Sequence, residues 1–382
     1  MKTLHFVYKY GIESETFVRE FVKKSNTFGE ALVISFENSL PNEDVIILPT
    51  KDHRRREFEG LIHFLGDRVR KLARWEKEVL NVLREQKPSI IHCHFGTTGI
   101  LLLNLLSQGL INTPIVISFY GYDVSSLPKR DKTYRQKLLR LFGYKNVYSF
   151  GEGPELCKKI RSLGAAFSSV LVNPLIVPTV GVPTRSPKHG GPIKFLMIGR
   201  FVQKKGFQLA LNVLGDLQRD IGPFEISIIG YGQMEQVYRR IIEEKGLEEV
   251  TYFYGKQKHH EIKEALSEHD FFLHPSLTAE DGDSEGGAPT ILVEAQAAKL
   301  PVITSNHADI PYVMGYHDFI ANEADVESLK SIIRSAVEFR EIGILVEKGL
   351  DHVKTQHDSS ISKVYENNLM EIIHNFEGNK AG

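Results

Sequence analysis

Gly199-Arg200-Phe201-Val202-Gln203-Lys204-Lys205-Gly206 directly follows the apolar run 193–198 and ends where an amphipathic stretch begins. Apolar run, turn and helical period in that order read as strand, loop and crossover helix of a parallel sheet. The loop therefore stands at a strand's carboxyl end, where open α/β sheets bind ligands. Arg200 offers a planar fork of donors and Lys205 a point charge. Together they suit a diphosphate and the negative charge that grows on it as a sugar leaves.

The same alternation extends outward from this loop. Towards the carboxyl end, strand candidates lie at 226–229, 250–254, 271–274 and 301–304. Towards the amino end they lie at 4–8, 31–36, 45–48, 90–94, 115–119, 147–150 and 170–172, with helical stretches at 61–85, 98–108 and 131–142. Between the two series, 173–192 holds Pro174, Pro178, Pro183, Pro187 and Pro192 and shows no apolar period. We expect an α/β protein of two doubly wound Rossmann-like domains facing across a cleft: 1–176, a linker at 177–192, and 193–358. A C-terminal helix and tail, 359–382, is expected to cross back to the first domain.

A second loop, Asp281-Gly282-Asp283-Ser284-Glu285-Gly286-Gly287-Ala288-Pro289-Thr290, follows strand candidate 271–274 and opens into a helical run. Glycines ahead of a helix start let backbone N–H groups approach a phosphate or sugar hydroxyls, and the helix dipole favours an anion there. Glu285 in the loop and Glu294 one turn into the helix place two hydrogen-bond acceptors beside one ligand, Glu294 for a ribose and Glu285 for a transferred hexose. The blander reading is an acidic bias that only complements the dipole.

With 382 residues, 42% hydrophobic and 25% charged, the chain is long enough for two cores. No run approaches the roughly 20 apolar residues of a spanning helix, and the chain opens on a strand-like segment, so a cytoplasmic location is expected. Cys93 and Cys157 read as reduced, buried thiols. Residues 1–176 carry 26 Lys and Arg against 18 Asp and Glu, and the remainder 21 against 30. The basic excess gathers in Arg54-Arg55-Arg56, in Arg68, Arg70, Lys71, Arg74 and Lys77, and in 129–140. Solvated helix faces explain it; so does a surface for an anionic acceptor or the inner face of a membrane, with Trp75 as an interfacial anchor.

From Gly199 to Met314 the chain resembles the donor half of the retaining glycosyltransferases of family 4, which have the GT-B fold. The resemblance rests on Gly199-Arg200-Phe201 with Lys205-Gly206, Ile229-Gly230-Tyr231-Gly232, His274-Pro275-Ser276, Glu285-Gly286, Glu294-Ala295 and Ile310-Pro311. Ser14-Glu15-Thr16-Phe17, His92-x-His94-Phe95 and Ser118-Phe119-Tyr120-Gly121-Tyr122-Asp123 are similar to the amino-terminal half of its bacterial exopolysaccharide and colanic-acid branch. The resemblance implies a UDP- or GDP-sugar donor and no cofactor. It puts the diphosphate on Arg200 and Lys205 beside Gly199, the ribose on Glu294, the base near Lys256, and the hexose against Glu285 and the amides of Gly286, Gly287, Ala288, Pro289 and Thr290. It also puts Gly11, Glu15, Thr16, His94, Tyr120 and Asp123 near the acceptor or the transferred sugar. The implied acceptor is a glycan, a lipid-linked oligosaccharide or a small molecule. Two departures are visible: Glu285 and Glu294 stand one residue further apart than the family's pattern, and Tyr120 occupies a position that is commonly histidine. A phenol donates a hydrogen bond but is no base near neutral pH.

Other motifs are weaker. Asp281-Gly-Asp283 matches a metal-binding pattern of other glycosyltransferases, but the two cations make a metal redundant and none is expected. His92 and His94 are expected on opposite strand faces, unable to share an ion, and His259-His260 reads as surface. Gly230-Tyr231-Gly232 lacks the third glycine of a dinucleotide fingerprint, and no nucleic-acid partner is implied. A sugar-nucleotide epimerase or an inactive sensor of the same fold remain as alternatives to a transferase.

Overall fold

The computed structural model describes residues 1–12, 15–49, 71–177, 182–185, 190–358 and 363–381. Ser14, Arg54-Arg55-Arg56, Arg68 and Arg70 lie outside the described residues, as do 61–70 of the first helical stretch, 178–181 and 186–189 of the proline-rich segment, and 359–362. The chain divides into two compact units. One comprises Met1–Gly151, Cys157–Asn173 and Lys363–Gly382, and the other Glu152–Leu156 and Pro174–Ser362.

The first unit is built on a parallel sheet of strands β1 (Lys2–Tyr10), β2 (Glu30–Asn38), β3 (Ile46–Ile47), β4 (Ile90–His94), β5 (Ile115–Ser118), β6 (Val147–Gly151) and β7 (Val170–Val172). Their order is β3-β2-β1-β4-β5-β6-β7, which reverses direction between β1 and β4. Residues of β4, β5 and β6 are buried on both faces, which is why they are largely apolar, His92 and His94 of β4 being buried polar exceptions. Helices Thr16–Phe28, Arg74–Gln86 and Lys132–Phe142 connect these strands. The last is capped by Asp131, whose carboxylate accepts from the Tyr134 N–H at 2.9 Å. Helix Val364–Ala381 closes the unit: Tyr365 is buried against Phe21, and the Asn368 side chain donates to the Val172 carbonyl at 2.9 Å.

The second unit repeats the plan with β8 (Ile193–Ile198), β9 (Phe224–Ile229), β10 (Thr251–Gly255), β11 (Phe271–His274), β12 (Val302–Ser305) and β13 (Ile320–Ala321). All pairs are parallel in the order β10-β9-β8-β11-β12-β13, so β8 and β11 flank the reversal. Phe195, Leu196, Phe207, Leu214, Phe272, Ile303 and Leu329 are fully buried in one core, each side chain worth about 1.5–3 kcal/mol of transfer free energy. The described part of 177–192 is fastened to this unit. The Val177 N–H donates to the His357 carbonyl at 2.9 Å, the Arg185 N–H to the Ala298 carbonyl at 2.7 Å, and the Arg185 guanidinium to Asp270 at 2.8 Å. No helix among the described residues is long and apolar enough to cross a membrane. Cys93 and Cys157 are buried free thiols.

Candidate functional site

In the second unit β8 ends at Ile198, leaving Arg200 exposed while the next residue, Phe201, is buried against Tyr238 and Phe207. That aromatic anchor fixes the chain so that a short turn, Gln203–Lys205, leads into helix Phe207–Leu217. Gly206 makes the junction at φ +69, and a Cβ there would fall 1.8 Å from the Pro275 carbonyl oxygen. No other residue lets this turn approach the end of β11 so closely.

The turn delivers two lysines to the loop 281–290. Lys205 Nζ lies 2.8 Å from Glu285 Oε1, with side-chain exposures of 12% and 9%. Lys204 Nζ donates to the Ser284 carbonyl at 3.1 Å and pairs with Asp283 at 3.2 Å. Ser276 Oγ donates to Glu285 Oε1 at 3.2 Å. Burial alone raises the pKa of the Glu285 carboxyl, but Lys205 and Lys204 outweigh it and hold it at about 2. His274, at the end of β11, has no hydrogen-bond partner on either ring nitrogen. Burial, then Lys205, depress its pKa to about 3, so the ring is neutral.

Behind the loop stands a second support. The Glu285 N–H donates to His307 Nε2 at 3.0 Å, and His307 Nδ1 lies 3.0 Å from Glu323 Oε2. An amide only donates, so Nε2 accepts and the ring proton sits on Nδ1, facing the Glu323 carboxylate. Glu323 also accepts the Thr278 N–H at 2.7 Å. Gly286, Gly287, Ala288 and Pro289 then lead into helix Thr290–Ala297, whose first turn has amides with no partner inside the helix. Glu294, within this helix, has its Oε2 3.2 Å from His259 Nε2. That bond raises the His259 pKa above its ordinary value. Lys256 is exposed just past β10, and Gly199 directly follows β8.

In the first unit the expected acceptor residues lie at the carboxyl ends of β1, β4 and β5, adjacent strands at the reversal. Gly11 follows β1 at φ +85. Glu15 precedes helix Thr16–Phe28, burial raises its pKa to about 7, and Thr16 is exposed. Asp123 is buried and accepts the N–H groups of Gly96, Tyr120 and Gly121 at 2.9, 3.2 and 3.1 Å. Burial raises its pKa to about 6 against those donors. Its carboxylate thus fixes the loop after β5 on the one after β4. His94 is fully buried, with Nδ1 2.8 Å from the Tyr120 hydroxyl. Any influence of His94 on a ligand passes through Tyr120.

Comparison with known proteins gives a family for most of the second unit. Residues 183–342 match the family glycosyl transferases group 1. The second unit carries a group 1 glycosyltransferase domain. The chain is 32% identical over 262 residues to the amylovoran biosynthesis glycosyltransferase AmsK of Erwinia amylovora, covering 66% of this chain and 63% of that protein. It is 30% identical over 246 residues to the putative colanic acid biosynthesis glycosyltransferase WcaL of Salmonella typhimurium, covering 62% and 58%. The chain thus spans less than two thirds of the length of these relatives. The crystal structure of Anabaena HepE in complex with UDP superposes with a TM-score of 0.75 at 14% identity, over 97% of this chain and 100% of that one. The fold is that of GT-B glycosyltransferases.

Two expectations need correction. His92 and His94 share one face of β4, their ring centroids 4.2 Å apart, because side chains two residues apart on a strand point the same way. His259 is exposed, as expected, and meets Glu294 there. Trp75 is only 5% exposed and packs edge-on against Phe36, so it is a core residue and no interfacial anchor. Lys204, His307 and Glu323 support the glycosyltransferase-domain loop without having been singled out. Lys204 was legible as a second cation in the turn, whereas nothing local marks the other two.

Proposed function

We propose that the chain is a retaining, metal-independent glycosyltransferase that moves a hexosyl unit from a UDP- or GDP-sugar to a hydroxyl of a glycan or lipid-linked acceptor in bacterial exopolysaccharide assembly. The observation that carries this reading is the buried Lys205–Glu285 pair beside exposed Arg200 at the reversal of the second sheet. The amylovoran and colanic-acid relatives support the process, and the likeness to a UDP complex supports a uridine donor.

The donor's diphosphate takes Arg200 and Lys205, drawing Lys205 from its carboxylate partner. Glu285, freed from that lysine but still steadied by Ser276 and His307, accepts from a hexose hydroxyl. The N–H groups of Gly286, Gly287, Ala288 and Thr290 face the same sugar, Glu294 accepts from the ribose, and the base lies by Lys256. The acceptor oxygen forms its bond to C1 on the face from which the nucleotide departs. As the C1–O bond to phosphate breaks, its electron pair stays on the phosphate oxygen, which also takes the acceptor's proton. Arg200 and Lys205 stabilise that charge, an effect typically worth a few kcal/mol per donor. The first unit supplies acceptor contacts through Gly11, Glu15, Thr16 and Tyr120, and its basic helix faces suit an anionic lipid or phosphorylated acceptor.

The test is incubation with UDP- and GDP-hexoses, with and without lipid-diphosphate oligosaccharides, following nucleotide release and the anomeric configuration of the product by NMR. Transfer with the donor's configuration is expected. An inverted product sinks the retaining mechanism, and an isomerised free sugar makes the protein an epimerase.

A further inference from the structure

Seven side chains of the first unit form a continuous buried line. Ser118 Oγ lies 2.7 Å from His92 Nε2, and His92 Nδ1 lies 2.8 Å from the Tyr365 hydroxyl. Tyr365 reaches Ser25 Oγ at 3.3 Å, Ser25 reaches His5 Nε2 at 2.9 Å, and His5 Nδ1 reaches His94 Nε2 at 3.0 Å. His94 Nδ1 reaches the Tyr120 hydroxyl at 2.8 Å. Three strands, helix Thr16–Phe28 and the C-terminal helix contribute to it. The three histidines bring ring nitrogens within 4.8 Å of one another, close enough to hold a metal ion. Each of their six ring nitrogens, however, already has a partner at 2.7–3.0 Å.

Burial depresses the pKa of all three imidazoles, so each is neutral and carries one proton. A neutral ring donates from one nitrogen and accepts at the other. If His94 donates through Nε2 to His5, the His5 proton must be on Nε2, and the Tyr120 hydroxyl must donate to His94 Nδ1. Continuing through Ser25 and Tyr365, His92 too is protonated on Nε2. Reversing the His5–His94 bond reverses every link, and all three protons move to Nδ1. Tyr120 then accepts from His94 and keeps its own proton for whatever lies outside.

We propose that this line is a hydrogen-bonded chain of two polarities in which His94, His5 and His92 are positioning residues that set whether the Tyr120 hydroxyl donates to or accepts from a sugar hydroxyl. The chain itself follows from the geometry; its bearing on a sugar rests on the reading of Tyr120 under Proposed function. A ligand oxygen that only accepts selects the Nδ1–H polarity, and a ligand hydroxyl that donates selects the other.

The two ends can be cut separately. Orphaned buried N–H groups are rarer than under-satisfied acceptors, so each cut drives the nearest histidine to protonate its far nitrogen. Tyr120→Phe leaves His94 Nδ1 without a partner and puts all three histidines in the Nε2–H form. Ser118→Ala leaves His92 Nε2 without one and puts all three in the Nδ1–H form. Long-range proton–nitrogen NMR of the full chain labelled with 15N-histidine reads the tautomers directly and needs no substrate. Opposite tautomers in the two variants, shared by all three rings, support the chain. Mixed tautomers within one variant, or a His92 indifferent to Tyr120→Phe, overturn it, as does one equivalent of zinc bound with loss of the ring N–H signals. Should the tautomers follow the scheme while Tyr120→Phe turns over donor like the wild type, the chain stands and the sugar-facing role of Tyr120 falls.

Discussion

Replacing Lys205 by Ala is expected to destabilise the second unit as well as slow transfer by about 10²-fold or more, whereas Arg200→Ala does only the latter. Glu285 and Lys205 are 2.8 Å apart and nearly inaccessible. The carboxyl is held at about 2 against an ordinary value of 4.5, which at 1.36 kcal/mol per pKa unit corresponds to about 3 kcal/mol. Removing one partner of a buried pair typically costs 3–5 kcal/mol. Lys204 and Ser276 remain beside Glu285, so the lower end applies, about 3 kcal/mol. In a domain of 150–250 residues that lowers Tm by roughly 6–12 °C.

The sign with pH follows from the same pair. In the wild type the depressed carboxyl contributes stability that is complete above about pH 4.5 and is lost as pH falls through 2. Without Lys205, burial dominates and the folded pKa rises above the unfolded one. The variant then loses stability as pH climbs past 4.5, so its deficit is larger at pH 8 than at pH 4. Calorimetry of wild type, Lys205→Ala, Arg200→Ala and the double change Lys205→Met with Glu285→Gln decides the matter. The double variant removes both charges and is expected to recover most of the stability and none of the activity. Should Lys205→Ala melt like the wild type, or the double variant melt as low as Lys205→Ala, the pair is not what holds the loop. Arg200→Ala, on an exposed side chain, is expected to keep the wild-type Tm and lose about 10²-fold in turnover.

Transfer is expected to persist in excess EDTA; complete loss restored by manganese would promote Asp281 and Asp283 to ligands in place of the Asp283–Lys204 contact. Protonated His259 competes with a ribose for Glu294, and because Glu294 raises the His259 pKa, that competition is present at low pH and fades as pH rises through the raised value. Calorimetric titration with UDP between pH 6 and 9 should show affinity increasing, and His259→Ala should flatten the curve. Anionic vesicles should sediment the protein at low salt and release it as salt rises, sooner when the exposed Lys132, Arg135 and Arg140 become Ser; Trp75→Phe, a core change, should leave that series untouched. Binding to neutral and anionic vesicles alike would reduce those faces to solvated surface.

Most strands of both sheets were legible as short, mainly apolar or β-branched runs between turn signals, and 90–94, 170–172, 193–198 and 271–274 coincide with β4, β7, β8 and β11. The exception is β13, two residues long, which carries too little pattern to see. The glycosyltransferase-domain loops were legible for a related reason. Their chemistry sits in contiguous segments, 199–206 and 281–294, so spacing along the chain stands in for spacing in the fold. What spacing did not convey is that Lys205 and Glu285 touch, or that His307 and Glu323 lie behind the loop, 22 positions from Glu285 and 45 from Thr278.

The buried chain in the first unit is the extreme case, since its hydrogen-bonded neighbours are separated by as many as 340 positions. Only the sheet order brings His5 of β1 beside β4, and only the returning C-terminal helix brings Tyr365 to His92. Trp75 shows the complementary failure. Helix Arg74–Gln86 carries its cations next to residues that turn inward, Trp75, Val79 and Leu80 among them, and a basic, aromatic helix has the same sequence period whether its aromatic side meets a membrane or a core. A period states that a face exists. What covers that face is decided by elements far away in sequence, here by Phe36 of β2, and that is why charge pattern alone placed the anchor wrongly while leaving the exposed helix Lys132–Phe142 as the face on which the lipid question turns.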